Sequence, residues 1–220
     1  MMNAVNRRDT PWRVPTPLTD ASLARAAQLL AKKNQRFKHV LQKHGVPPLW
    51  AREPGFATLL HIILEQQVSL ASARAAFNKL QSVLGEITPS TFLTLDDAQL
   101  KAIGFSRQKT RYGRELAQTV LGGTLDLHAL HALPDDAVKM QLMAVKGIGQ
   151  WTTDIYLLMA LRRPDVIPKG DLALLIAAQR LFALPARPTP LELEALAEAW
   201  RPHRATAARI LWHFYLSERK

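Results

Sequence analysis

The stretch Leu142-Met143-Ala144-Val145-Lys146-Gly147-Ile148-Gly149-Gln150-Trp151-Thr152 decides how this 220-residue chain is read. A helix is expected to end near Val145, Lys-Gly-Ile-Gly then forms a hairpin, and a second helix starts at about Gln150. Two glycines flanking one apolar residue let the backbone turn sharply and let a large partner come close. The hairpin N–H groups and the N-terminus of the following helix make a phosphate-binding surface. An ordinary glycine-rich turn between helices is the plain alternative, and Gly-x-Gly by itself favours it. Ile148, placed to anchor the loop between its helices, and the charge of the chain tilt the balance.

Outward from the hairpin the apolar spacing is helical. Thr19-Asp20 caps a helix in which Leu23, Ala26, Ala27 and Leu30 keep register to about His44, where Gly45-Val46-Pro47-Pro48 breaks it. Residues 56–80 read as two helices with a break near Gln66–Ser69. Thr88-Pro89 and Thr94-Leu95-Asp96-Asp97 are successive helix starts, the second stopped by Gly104. Further helices are expected at about 106–121, 134–144, 149–162, 171–183, 190–199 and 201–217. Period-2 alternation is nearly missing, so the chain reads as all-α, with about ten short helices. Pro11, Pro15 and Pro17 make residues 1–18 an extended arm.

Composition narrows the chemistry. Twenty-nine Lys and Arg against 18 Asp and Glu leave a net charge of +11, which favours a polyanionic partner through counterion release. The 48% hydrophobic content is too high for a disordered basic tail. With no cysteine, disulfides, thiolate-bound zinc, a cysteine-ligated iron–sulfur cluster and a cysteine nucleophile are excluded. The longest apolar runs, Ile155–Leu161 and Leu172–Ala178, are far below the ~20 residues of a membrane span, and the first residues lack the apolar core of a signal peptide. The histidines show no metal spacing, and no Walker loop, dinucleotide fingerprint or serine elbow appears.

Three more features bear on function. Asp171 follows the Pro168-Lys169-Gly170 bend and starts an almost purely apolar helix. It is either a simple N-cap or a carboxylate at the mouth of a cleft, able to stabilise an oxocarbenium-like centre or orient water. Gln66-Gln67, polar inside an apolar pattern, is either the wet side of a bend or a pair of amides that enters a groove. Trp151, unlike the other four tryptophans, directly follows the hairpin, where an electron-rich indole suits a flat cationic ligand.

Taken in order, Leu64-Glu65-Gln66-Gln67-Val68-Ser69, Gly104-Phe105-Ser106-Arg107-Gln108-Lys109, the hairpin, and Pro168-Lys169-Gly170-Asp171 resemble the helix-hairpin-helix DNA glycosylases. The resemblance is to the DNA-3-methyladenine glycosylase II group, in a compact form without the N-terminal β-rich domain. It covers about residues 54–217 and implies two helical lobes with a DNA-binding cleft between them. One lobe would combine residues 19–53 with 164–220. The other would be 54–163, with the helix-hairpin-helix at about 134–162.

By the same resemblance Asp171 is the catalytic aspartate, and Trp151 and Trp212 line the base pocket together with Gln66 and Tyr156. Gln67 is the wedge that enters the duplex where a nucleotide is flipped out. Ser106, Lys109, Lys146, Gly147, Gly149, Gln150 and Thr152 face DNA, and the carbonyls of Met143, Val145 and Ile148 are candidates for a bound sodium or potassium ion, with no other cofactor. Two departures touch substrate range: an aromatic position of some members is Ile155 here, and the wedge is an amide rather than a bulky apolar group. Bifunctional relatives carry a Schiff-base lysine just after the hairpin; here Trp151 stands there, so hydrolysis without strand cleavage is implied.

The implied activity is excision of alkylated purines from double-stranded DNA by a monomer. It would sit in the cytoplasm with the nucleoid in a bacterium, or in the nucleus of a eukaryote. A non-catalytic DNA-binding module and a glycosylase for mismatched or oxidised bases are the other readings.

Overall fold

Residues 14–218 are described by the computed structural model. Twelve α-helices and two short 3-10 turns carry them, and no strand occurs among the described residues. The helices are α1 (Asp20–Lys33), α2 (Gln35–His44), α3 (Phe56–Glu65), α4 (Leu70–Leu84), α5 (Pro89–Leu93), α6 (Asp97–Ile103), α7 (Arg107–Leu121), α8 (Asp135–Met143), α9 (Gln150–Met159), α10 (Leu172–Phe182), α11 (Pro190–Ala197) and α12 (Arg204–Ser217). The 3-10 turns are Ala129–Ala132 and Glu198–Trp200.

Local chemistry explains most of the boundaries. Side chains of Thr19, Ser69, Thr88, Asp96, Ser106, Asp171 and Thr189 each accept from a backbone N–H in the first turn of the helix that follows. Where the expected pattern fails, a residue turns the chain without interrupting the apolar spacing. The single helix expected from Thr19 to His44 is two. Asn34 is extended, with φ −139°, and its Oδ1 accepts from the N–H groups of Arg36 and Phe37 to start α2. The helix expected at 149–162 stops at Met159, and Arg162 takes a left-handed φ of 52°. The last helix begins at Arg204 rather than 201, after a cis Arg201–Pro202 bond. The turn at Ala129–Ala132 leaves no mark in the sequence, since four residues hold too little periodicity to read.

Two groups of helices pack internally. Helices α1, α2, α10, α11 and α12 pack on one another, while α3 through α9 form the other group around α3 and α7. Two buried arginines tie segments together. The Arg163 guanidinium donates to the carbonyls of Pro15 and Leu133 and pairs with Asp135 at 3.2 Å, holding the segment before α1 against the α8 entry. Of the arm expected at residues 1–18, residues 1–13 lie outside the described residues; Leu18 N–H donates to the Arg162 carbonyl. Arg209 donates to the carbonyls of Leu49, Ala205 and Leu158, joining α12, α9 and the irregular segment before α3. Burial pushes its guanidinium down to about 10, so it stays charged at neutral pH. No described helix is long and apolar enough to cross a membrane.

Candidate active site

Asp171 caps α10, and its carboxylate accepts three hydrogen bonds. Oδ1 takes the backbone N–H of Leu174 at 3.0 Å and the indole N–H of Trp212 at 3.0 Å; Oδ2 takes the indole N–H of Trp151 at 3.0 Å. A carboxylate offers roughly four lone-pair sites, so one on Oδ2 is left for a group from outside. All three partners donate, which is the pattern an ionised carboxylate satisfies. The N-terminus of an apolar helix favours the same charge. The two indoles come from α9 and α12 and hold the carboxylate from opposite elements.

Trp212 is only 8% exposed, and Trp151 is half-buried beside the half-buried Asp171. Trp50, with a left-handed φ of 48°, sets its ring edge-on to Trp212 at 6.4 Å and extends the aromatic wall. Sequence reading gave Trp50 no function, because a tryptophan behind a Pro-Pro break carries no periodic signal.

Tyr156 does not join this wall. It is fully buried, and its hydroxyl accepts the Gly55 N–H at 3.0 Å; burial pushes the phenol up to about 12. Five residues along a helix are roughly 140° round from Trp151, which turns Tyr156 into the core, while Ile155 at i+4 shares the Trp151 face.

A groove of about 530 Å³ opens between the hairpin, the α3–α4 turn and the start of α7, lined by Gln66, Gln67, Val68, Ser106, Lys109 and Tyr112 among others. Gln67, at the tip of the α3–α4 turn, is exposed with a left-handed φ of 57°. For a non-glycine residue that conformation costs on the order of 1–3 kcal/mol and tends to mark functional sites. Val68 and Leu70 beside it are also exposed, and they add apolar surface to the tip.

The hairpin is held from below. The Gln66 amide donates to the Gly147 carbonyl at 3.0 Å and to Thr152 Oγ1 at 2.9 Å, so Gln66 and Thr152 bind the two motifs together at the edge of the groove. Thr152 is buried. Gly147, with φ +95°, lies on the Tyr112 ring: a Cβ there would sit 2.2 Å from Cγ. Gly149 has φ −98° and nothing within 4 Å of an added Cβ, so its space is open to an outside partner.

The remaining DNA-facing candidates divide. Lys146 and Ser106 are exposed, and Ser106 caps α7. The Lys109 ammonium turns inward and donates to the Leu64 carbonyl at 2.6 Å, and desolvation lowers its affinity for the proton. It closes the C-terminal end of α3, where unpaired carbonyls attract a cation. Gln150 gives its side-chain amide to Asp154 at 2.8 Å, which leaves its backbone N–H at the α9 N-terminus. Met143 ends α8, Val145 and Ile148 follow in the hairpin, and the Val145 carbonyl accepts the Ile148 N–H at 3.0 Å.

Residues 60–202 match the family profile described as HhH-GPD superfamily base excision DNA repair protein. DNA-3-methyladenine glycosylase 1 of Schizosaccharomyces pombe is 30% identical over 165 residues, covering 73% of this chain and 72% of that protein. The Bacillus subtilis protein YfjP is 27% identical over 181 residues, 79% of this chain, and the chain spans 63% of its length. Among solved structures, the S. pombe 3-methyladenine DNA glycosylase Mag1 in complex with abasic DNA superposes with a TM-score of 0.81 at 27% identity, covering 86% of this chain and 95% of the other.

Proposed function

The chain belongs to the HhH-GPD superfamily of base excision DNA repair proteins, and on that premise we propose that it is a monofunctional glycosylase removing alkylated purines of the 3-methyladenine and 7-methylguanine type from duplex DNA. The observation that carries the reading is the Asp171 carboxylate clamped between the Trp151 and Trp212 indole N–H groups, with one lone pair free. Trp151 also occupies the place where a Schiff-base lysine would stand. The names of the S. pombe relatives point to the same substrate class.

The reaction uses what the site offers. A purine alkylated at N3 or N7 is cationic, and when the C1′–N bond breaks its electron pair leaves with the base, neutralising it without an added proton. The sugar is left as an oxocarbenium-like cation facing the Asp171 carboxylate, whose charge is pre-oriented by its three donors. Water adds to C1′, its proton passes to Asp171 or to solvent, and the product is an abasic site. Indole faces suit a flat cation through stacking and cation–π attraction. Because both indole N–H groups are spent on Asp171, they select by shape and charge rather than by hydrogen bonds to base edges.

In this reading the two helix groups are the lobes on either side of the cleft. The hairpin N–H groups around Gly147, Gly149 and Gln150, with Lys146 and Ser106, hold phosphates, and Gln67 fills the gap left by the extruded nucleotide. The carbonyls of Met143, Val145 and Ile148 are hard neutral donors, and a sodium or potassium ion held there would add positive charge beside the phosphate.

Incubation with methylated genomic DNA should release alkylated purines, identified by chromatography. Asp171→Asn should lose release while keeping duplex affinity, and borohydride should trap no enzyme–DNA adduct. Release by Asp171→Asn near the wild-type rate would overturn the assignment. No release by the wild-type chain would leave a DNA-binding module.

A further inference from the structure

Asp154 is a charged group that the reading above does not use. It is 2% exposed on α9, three residues after Trp151, and burial raises its carboxyl above the ordinary range. Burying a carboxylate is costly unless its oxygens are matched by donors. Here Oδ1 accepts the Gln150 amide at 2.8 Å, and Oδ2 faces the backbone N–H of Lys169 at 3.4 Å. Gln150 is the first residue of α9 after the hairpin, and Lys169 lies two residues before Asp171 in the bend that carries it.

Buried Val166, Ile167 and Pro168 lead into that bend. Gly170 is left-handed with φ +74°, and the Asp171 N–H to Pro168 carbonyl bond is long at 3.4 Å. The Lys169 side chain points to α11, where its ammonium pairs with Glu194 at 2.6 Å. Helix α9 thus meets the bend twice: Trp151 holds the Asp171 carboxylate, and Asp154 holds the backbone just before it.

We propose that Asp154 is a positioning residue, which through Gln150 and the Lys169 N–H registers the Asp171 bend against the hairpin exit, so that the element gripping phosphate also sets the catalytic carboxylate. A capping or packing role alone would make Asp154 matter for stability. A positioning role makes it matter for the rate of base release after DNA is bound. The proposal rests on Asp171 acting in catalysis, and Asp171→Asn tests that premise separately.

The experiment compares Asp154→Asn and Asp154→Ala with the wild-type chain. Asparagine keeps the shape and one acceptor but turns an NH₂ toward one of the two donors; alanine removes both acceptors. Displacing a reacting group by about 1 Å can cost on the order of 100-fold in rate. Single-turnover release from methylated duplex should fall about 10- to 100-fold in both variants, more in alanine, while duplex affinity by anisotropy stays within about twofold. Tryptophan emission should shift as well, because Trp151 and Trp212 report the carboxylate between them. A rate within about twofold of wild type in folded Asp154→Asn overturns the proposal, and so does a parallel fall of affinity and rate. Should the alanine variant fail to fold, the near-isosteric asparagine variant decides between these outcomes. If Asp171→Asn also retains activity, the failure belongs to the assignment of Asp171 and not to Asp154.

Discussion

Replacing Gly147 with alanine separates the internal from the external reasons for the two hairpin glycines. At Gly147 an added Cβ would stand 2.2, 2.4 and 2.6 Å from Cγ, Cδ1 and Cδ2 of Tyr112. These atoms are the root of the ring, not the end of a flexible chain, so the ring or the hairpin must move bodily. Overpacking of this kind costs about 1–3 kcal/mol, and an L-residue at φ +95° adds about 1–2 kcal/mol. Gly147→Ala should therefore lose about 2–5 kcal/mol, a large part of the roughly 5–15 kcal/mol typical of a folded domain.

In a Tyr112→Ala background the clash disappears and only the backbone cost should remain. The double-mutant cycle should then show a coupling of about 1–3 kcal/mol. Gly149→Ala meets no atom within 4 Å and should change stability by less than about 0.5 kcal/mol, yet on the proposed reading weaken duplex binding, because the methyl group enters the open space where that reading puts a phosphate. Urea unfolding measures all four variants, and fluorescence anisotropy with a labelled duplex measures binding by Gly149→Ala. The reasoning is refuted if Gly147→Ala costs the same with and without the Tyr112 ring, or if Gly149→Ala binds DNA as the wild type does.

Two further outcomes follow from the same structure. Trp212→Phe keeps a ring in the pocket wall but removes the donor to Asp171 Oδ1; a hydrogen bond to a charged group is worth about 1.5–3 kcal/mol, so single-turnover base release should slow about 10- to 100-fold, and an unchanged rate would mean that this indole only packs. Asp135 and Asp154 both have carboxyls raised above 3.8 by burial, so the folded chain holds these protons more tightly than the unfolded one. Their contribution to stability is fully present below about pH 3.8 and is lost as pH rises through the folded values. Urea midpoints measured upward from pH 4 should therefore fall less steeply in Asp154→Asn than in the wild type, and identical slopes would contradict the burial of this charge.

Much of the fold is legible in the chain because helix ends carry local chemistry. Thr88-Pro89, Asp96 and Ser106 each bring a side-chain acceptor to the start of a helix, and the structure begins helices there. The break at Asn34 has no signal in the sequence, because an asparagine between two basic helical stretches leaves the apolar spacing intact. Its capping bonds are visible only once the backbone turns. At the site, the order of the four motifs points to Asp171 and Trp151, which the structure brings together, and to Tyr156, which it buries in the core; the bond from Lys109 to the Leu64 carbonyl has no signal in the sequence.

What the sequence alone determined is the all-helical class, the hairpin with its flanking helices, and the absence of a lysine after it. These are properties of neighbouring residues, set by periodicity, capping and backbone freedom over a few positions. Tertiary structure decided which groups meet: Trp212, 41 residues from Asp171, on the same carboxylate as Trp151, Gln66 beneath the hairpin, and Lys109 turned onto Leu64. The reason is geometric. Apolar spacing states which face of a helix is buried, but whether a polar group on its edge reaches a partner depends on how helices distant in sequence cross, to within the few tenths of an ångström that separate a hydrogen bond from none.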